Sequence, residues 1–232
     1  MEIRAGFHKR LREIQDDILV MGSMSEKALA NSVTALKERN LVSAGEIIAD
    51  DVHINRKRFE TEEKCIQLIA TQQPMAGDLR IIISVLSILT ELERIGDYAA
   101  GIARIVVTIG DEPPLKPLID IPRMADKTIE MLRRSLEAFI SRDAGAARRI
   151  AAQDDEVDNL YDQVFRELLT FMIEDPRTIT RATRLIWVAH NLERSADRVT
   201  NICERVIFAV TGKMEETEPS KSWDRLPRSG HE

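Results

Sequence analysis

Apolar side chains recur three and four positions apart through most of the chain. Toward the end, Leu185, Val188, Ala189, Leu192, Ala196, Val199, Ile202, Cys203 and Val206 make one unbroken stripe. Val157, Tyr161, Val164, Leu168 and Phe171 make another. This is the period of an amphipathic α-helix. The eight prolines, at Pro74, Pro113, Pro114, Pro117, Pro122, Pro176, Pro219 and Pro227, leave long proline-free intervals between them. A proline inside a helix costs about 3 kcal/mol, so the intervals are free to be helical and the prolines mark their ends. The pattern predicts helices over 7–39, 42–72, 77–109, 122–142, 145–174 and 178–211. Rods of about 30 residues reach ~45 Å, and short turns between them force antiparallel neighbours. Asp111-Glu112-Pro113-Pro114-Leu115-Lys116-Pro117 reads as a stiff connector. Beyond Gly212 the chain turns polar through Glu215-Glu216-Thr217-Glu218-Pro219, which predicts a disordered tail, with Trp223 and Leu226 as docking side chains.

The pattern is doubled. Leu92-Glu93-Arg94-Ile95-Gly96-Asp97, followed by Ile102, returns one hundred positions on as Leu192-Glu193-Arg194-Ser195-Ala196-Asp197, followed by Ile202. Upstream, Ser32, Ala35, Arg39, Ala44, Ile47, Ala49 and Asp51 return at an offset of 103 as Ser135, Ala138, Arg142, Ala147, Ile150, Ala152 and Asp154. Two echoes in one order imply a duplicated unit of about a hundred residues. The expectation is an all-α protein of two tandem antiparallel three-helix bundles, residues 1–112 and 113–212, with a tail over 213–232.

Composition narrows the function classes. Hydrophobic residues at 44% and charged residues at 31% allow both a core and a solvated surface, and aromatics at 4% suit helices better than sheets. A net charge of −6 builds no broad positive field, which argues against a nucleic-acid partner. Cys65 and Cys203 stand on apolar stripes without a CxxC pattern, so they read as core residues of a reducing compartment. The first ten residues hold no apolar run for a signal peptide, and the most apolar stretch, Ile81 to Leu89, is nine residues broken by Ser84 and Ser87. A membrane span needs about 20. The chain therefore reads as soluble and cytoplasmic.

Chemistry resides in acids four apart, which share one helix face. Glu93 and Asp97 form one pair, and Glu193 and Asp197 its repeat. On the preceding helices Asp154 and Asp158 correspond to Asp51 and Asn55. If the second and third helices of each half pack side by side, these turns face each other. Converging carboxylates must then be protonated, paired with arginine or neutralised by a cation. An all-oxygen set favours Fe, Mn, Mg or Ca, with Zn a less favoured candidate. Gly96 and Gly101 allow a neighbouring backbone or an ion to come close. The plainer reading is a solvated face, with Arg94 and Arg194 bridging to Asp97 and Asp197 at i,i+3. His53 and His190 read as surface or packing residues, and Asn55 is a weaker ligand than aspartate. The chain has no nucleophile–base arrangement and no glycine-rich phosphate loop, so it reads as non-enzymatic. The rival is a carboxylate-bridged di-iron enzyme, which needs Glu-x-x-His on two helices; here only His190-x-x-Glu193 occurs, reversed and once. A purely structural helical scaffold is the third reading.

The doubled L-E-R-x-x-D, the Gly77-Asp78-Leu79-Arg80 run after Gln73-Pro74, and the D-x-x-x-D/N turn on the preceding helix resemble the PhoU family over about residues 7–211. The resemblance implies two three-helix bundles side by side in a cytoplasmic regulator of phosphate uptake and phosphate signalling. Family members are often homodimers that associate peripherally with membrane complexes. Their implied partners are the ATPase of the phosphate ABC transporter and a phosphate sensor histidine kinase, whose response they repress when phosphate is plentiful. Some members carry iron or other metals on the E/D-x-x-x-D faces. By position, Asp51, Asn55, Glu93 and Asp97 would form one metal site, and Asp154, Asp158, Glu193 and Asp197 the other. This chain departs from the family pattern at Asn55, usually Asp, and at Gly101, where the second repeat keeps Asn201.

Overall fold

The computed structural model describes residues 2–217, with side chains from Gly6 onward. Regular structure among the described residues is entirely helical: α1 (Glu2–Glu38), α2 (Leu41–Gln72), α3 (Ala76–Ile109), α4 (Asp120–Ser141), α5 (Ala144–Ala151), α6 (Asp154–Glu174) and α7 (Ile179–Thr211). A 3-10 turn at Pro176–Thr178 leads into α7. The six rods expected from periodicity are present, but the fifth is broken into α5 and α6.

That break has a local cause. Around it the backbone tightens to i→i−3 bonds, with the Gln153 N–H donating to Ile150 O at 2.9 Å and the Glu156 N–H to Gln153 O at 3.1 Å. Asp154, Asp155 and Glu156 follow at once, and three acids favour the positive end of a new helix. Their repeat counterparts are Asp51, Val52 and His53, and there α2 runs on without interruption. The fourth helix also starts two residues before the expected 122, because Pro122 sits in its first turn, where no intrahelical N–H bond is lost.

The turns repeat as the sequence does. Arg39 and Arg142 both take the left-handed conformation, at φ 55° and 57°. Each closes a helix by a 6→1 bond, Asn40 N–H to Ala35 O and Asp143 N–H to Ala138 O, both at 2.9 Å. The next residue then caps the following helix: Asn40 Oδ1 accepts from the Ser43 N–H at 3.0 Å, and Asp143 Oδ1 from the Ala146 N–H at 2.8 Å.

α1, α2 and α3 form the first bundle, and α4, α5–α6 and α7 the second. The bundles are fused rather than merely tethered, because α3 lies along α7 and α1 along α4. Ile18, Met21, Ile88, Leu92, Met131, Leu132, Val188 and Leu192 are fully buried in one continuous apolar core that spans both repeats. Ser25 Oγ donates to Leu92 O at 3.0 Å and so ties α1 to α3. At the α1–α4 crossing Gly22 lies against Leu136, whose Cδ1 a Cβ at that position would displace. α2 and the α5–α6 rod flank this four-helix centre, and each carries its acidic turn against the third helix of its own repeat. No helix among the described residues is long and apolar enough to cross a membrane. The expected tail lies largely outside the described residues, Trp223 and Leu226 included. Its first part, 213–217, is held by Arg148 on Glu215 at 2.8 Å and by the Thr217 N–H on Glu204 at 3.0 Å.

Candidate functional site

Each repeat brings its two acidic turns onto one seam. In the first, Gly96 permits the approach: a Cβ there would lie 2.8 Å from Ile54 Cδ1 and 3.6 Å from Asp51 Oδ1. The glycine therefore admits the neighbouring helix. Asn55 Nδ2 donates to Asp51 Oδ2 at 3.3 Å. Arg58 stands one turn further along α2, with its Nη1 3.1 Å from Glu93 Oε1 and its Nε 2.7 Å from Glu62. Burial raises the Asp51 carboxyl above its usual range, the Asp97 charge adds to this, and Arg104 opposes it. Glu93 is raised by burial too, with Arg58 the main opposing charge. Asp97 itself is exposed. The first seam thus contains its own cations.

The second seam differs in one decisive residue. The repeat counterpart of Arg58 is Tyr161, a phenol with no charge to offer. Asp154 is fully buried at the start of α6 and Asp158 is half-buried a turn later. Glu193 Oε2 is buried and accepts no hydrogen bond, and His190 Nδ1 stands 3.6 Å away, beyond hydrogen-bond reach. Burial pushes Glu193 up to about 7, with the Asp197 and Asp154 charges adding to the rise and Arg194 and Arg198 opposing it. Asp197 is raised by burial against the pull of Arg194, whose Nη1 lies 3.1 Å from its carboxylate, and of Arg198 and His190. The Tyr161 phenol is raised as well, by burial and then by Glu193.

These donor sets respond differently to a metal. Among the described residues, no three His, Cys, Asp or Glu side chains are arranged so as to hold an ion as they stand. In the first set Asn55 donates to Asp51 and Arg58 pairs with Glu93, so these donors are already engaged within the protein. In the second set Arg194 pairs with Asp197, while Glu193, raised by the charges of Asp197 and Asp154, keeps a buried oxygen that no donor reaches, so an oxygen-rich acidic cluster remains. Its side chains would have to converge further to share an ion.

Sequence reasoning passed over Arg58, although Arg58 lies seven residues after Asp51 and three after Asn55, on the same helix face. It also passed over a polar contact between the repeats. Glu91 on α3 accepts from Arg198 Nη1 at 3.4 Å and from Asn201 Nδ2 at 3.2 Å, both on α7. Asn201 therefore serves the inter-repeat contact. Gly101, the position matching Asn201, gives space to Asn191, whose Oδ1 would lie 3.1 Å from a Cβ there. Of the two expected i,i+3 bridges, Arg194–Asp197 forms, whereas no Arg94–Asp97 pair lies within ion-pair distance among the described residues. Both cysteines are buried and their thiols pushed up to about 12 by desolvation, which keeps them protonated and poor nucleophiles.

Comparison with known proteins identifies the architecture. Residues 18–106 and 121–206 each match the family model described as the PhoU domain. The phosphate-specific transport system accessory protein PhoU of Escherichia coli K12 is 34% identical over 211 residues, covering 91% of this chain and 88% of that protein. The homologue from Clostridium acetobutylicum is 38% identical over 208 residues, or 89% of this chain and 95% of that one. The crystal structure of PhoU from Pseudomonas aeruginosa superposes with a TM-score of 0.84 at 35% identity, covering 89% of this chain and 100% of that one. The phosphate transport system regulatory protein PhoU from Streptococcus pneumoniae gives 0.84 at 30% identity, covering 90% and 99%. With two tandem domain matches and relatives alike over nearly their whole length, the chain belongs to the PhoU family.

Proposed function

We propose that this chain is an accessory regulator of phosphate uptake that acts without catalysis as a cytoplasmic adaptor. In this reading it is a homodimer that joins the ATPase of a phosphate ABC transporter to a phosphate-responsive sensor histidine kinase and represses the starvation response when phosphate is plentiful. The observation that carries the reading is the tandem match of both repeats to the PhoU domain, together with full-length relatives described as accessory proteins of phosphate-specific transport. Long exposed faces on α2 and α6 offer the surface that such an adaptor needs. The test is deletion of the gene combined with pull-down of the ATPase and the kinase from phosphate-replete cells. Derepressed phosphate-starvation genes and capture of both partners are expected. Unchanged expression with capture of neither would overturn the proposal.

The second seam is the place for a divalent cation, with Asp154, Asp158, Glu193 and Asp197 as its oxygen donors and Fe, Mn, Mg or Ca as the candidate ions. Such an ion supplies positive charge where this repeat has Tyr161 in place of arginine. Its role is to stiffen the α6–α7 seam and so fix the outer surface. A ligand that binds only the folded state adds about 2.7 kcal/mol at a hundredfold excess over Kd. Purified protein should carry metal by elemental analysis and melt lower in chelator, and Glu193→Gln should abolish that difference. A metal-free preparation whose melting temperature ignores both chelator and added cation rejects the site.

A further inference from the structure

At the opposite end of the rods from the tail, the connector between the repeats closes a cavity of about 270 Å³. Its walls are apolar: Leu36 from α1, Ile109 from α3, Leu115 and Leu118 from the connector, and Leu185 from α7. Pro113, Pro114 and Pro117 stiffen the connector, so one wall is formed in advance. The volume lies just below the usual range for small-ligand pockets, about 300–1,000 Å³, so it suits a small body.

The charges at the rim are unbalanced. Glu112 is 3.6 Å from Arg184, and Lys116 is paired with Glu167, so both are already answered. The remaining charged lining residues are Lys37, Arg39 and Arg181, all cationic. Among the described residues none of these three has a carboxylate within ion-pair distance, and Arg181 Nη1 donates only to the Pro113 carbonyl, at 3.4 Å. Arg39 is held there in a left-handed conformation, at φ 55°, which disfavours any residue with a Cβ. An apolar chamber with three cations at its mouth, of which Arg181 feels the charge of Asp175 only from beyond ion-pair distance, is complementary to one kind of molecule.

We infer that this cavity is a ligand site for a small amphipathic anion, an apolar chain or ring ending in a carboxylate or phosphate, whose body lies against the leucines while its head meets Arg39, Arg181 and Lys37. The inference is independent of the acidic seams and of the adaptor reading. The chemistry is shared by free fatty carboxylates and alkyl phosphates, and the experiment separates them.

Calorimetric titration of the full chain with decanoate and with decyl phosphate, both below their micellar concentrations, should give saturable one-to-one binding by at least one of them, and the tighter of the two identifies the head group. Decyltrimethylammonium, with the same chain and the opposite charge, should not bind. Arg39→Gly removes a cation and relieves the left-handed strain, so it should melt no lower than the parent yet bind the anion at least tenfold more weakly. Arg181→Gln should weaken binding similarly, and Leu115→Trp, which fills the chamber, should abolish it. The inference falls if neither anion saturates, if the cationic analogue binds equally well, if inorganic phosphate alone competes as strongly as the chain-bearing anions, or if all three variants keep the parent affinity.

Discussion

Glu193 shows how one side chain can be placed against its own preference. An acid raised from 4.5 to about 7 binds its proton more tightly in the folded state than in the unfolded chain. Between those two values the folded protein holds more protons, so metal-free stability falls as pH rises from about 4.5 to about 7 and is level above that. At ~1.4 kcal/mol per pH unit, the whole effect is at most about 3.5 kcal/mol, and solvent screening of this partly exposed group reduces it. Glu193→Gln has no proton to lose. In chelator, urea unfolding should find it more stable than the parent at pH 8 and little changed at pH 4. A variant less stable at pH 8 would mean that ionised Glu193 contributes favourably to the native state. The four-residue acid spacing is legible in sequence, because helical geometry alone puts Glu193 and Asp197 on one face. The raised affinity for protons is not, because it depends on how deeply α6 buries that face and on what stands opposite.

Between elements, the contrast of the seams comes down to position 58 against position 161. Arg58 answers Glu93, whereas Tyr161 leaves Glu193 with a buried, unbonded oxygen. Exchanging the two residues should exchange the behaviour. Tyr161→Arg should bring the Glu193 titration, followed by carboxyl NMR, back toward the ordinary glutamate range and eliminate metal uptake at that seam. Arg58→Tyr should drive Glu93 upward. If Glu193 still titrates well above the ordinary glutamate range with an arginine at 161, then burial alone sets it and the pairing argument is wrong. The helices were readable from apolar period and proline placement, whereas the matching turns at Arg39–Asn40 and Arg142–Asp143 rest on backbone geometry that no spacing rule reports. The break before α6 was not readable either, since apolar spacing runs through it and only the triple acid Asp154-Asp155-Glu156 marks it. Pro122 misled in the opposite sense, as a proline ends a helix only when it lies beyond the first turn.

For the molecule as a whole, the polar seam between α3 and α7 matters most, because those helices join the repeats. They run antiparallel: Glu91 reaches Asn201 while Gly101 faces Asn191, and Asn191 and Asn201 are the repeat counterparts of Glu91 and Gly101. The crossing is therefore pseudo-twofold, and duplication alone supplies each contact with an approximate mate. Arg198 and Glu91 at this crossing have side chains only 12% and 15% exposed, so each charge depends on the other. Removing one partner of a well-buried pair costs about 3–5 kcal/mol, and replacing both is often close to neutral. Their residual exposure places Arg198→Met at or below the lower end of that range, and the double variant Glu91→Leu/Arg198→Met should recover most of the loss. The shared core makes a further demand, since neither repeat can open without uncovering the α3–α7 face of the other. Denaturation followed by Trp187 fluorescence in α7, by far-ultraviolet circular dichroism and by hydrogen exchange of α2 should trace one coincident transition in the parent and in Arg198→Met. Separate midpoints for α2 and Trp187 would show two independent bundles, and the Arg198 loss would then fall on a single repeat instead of the entire fold.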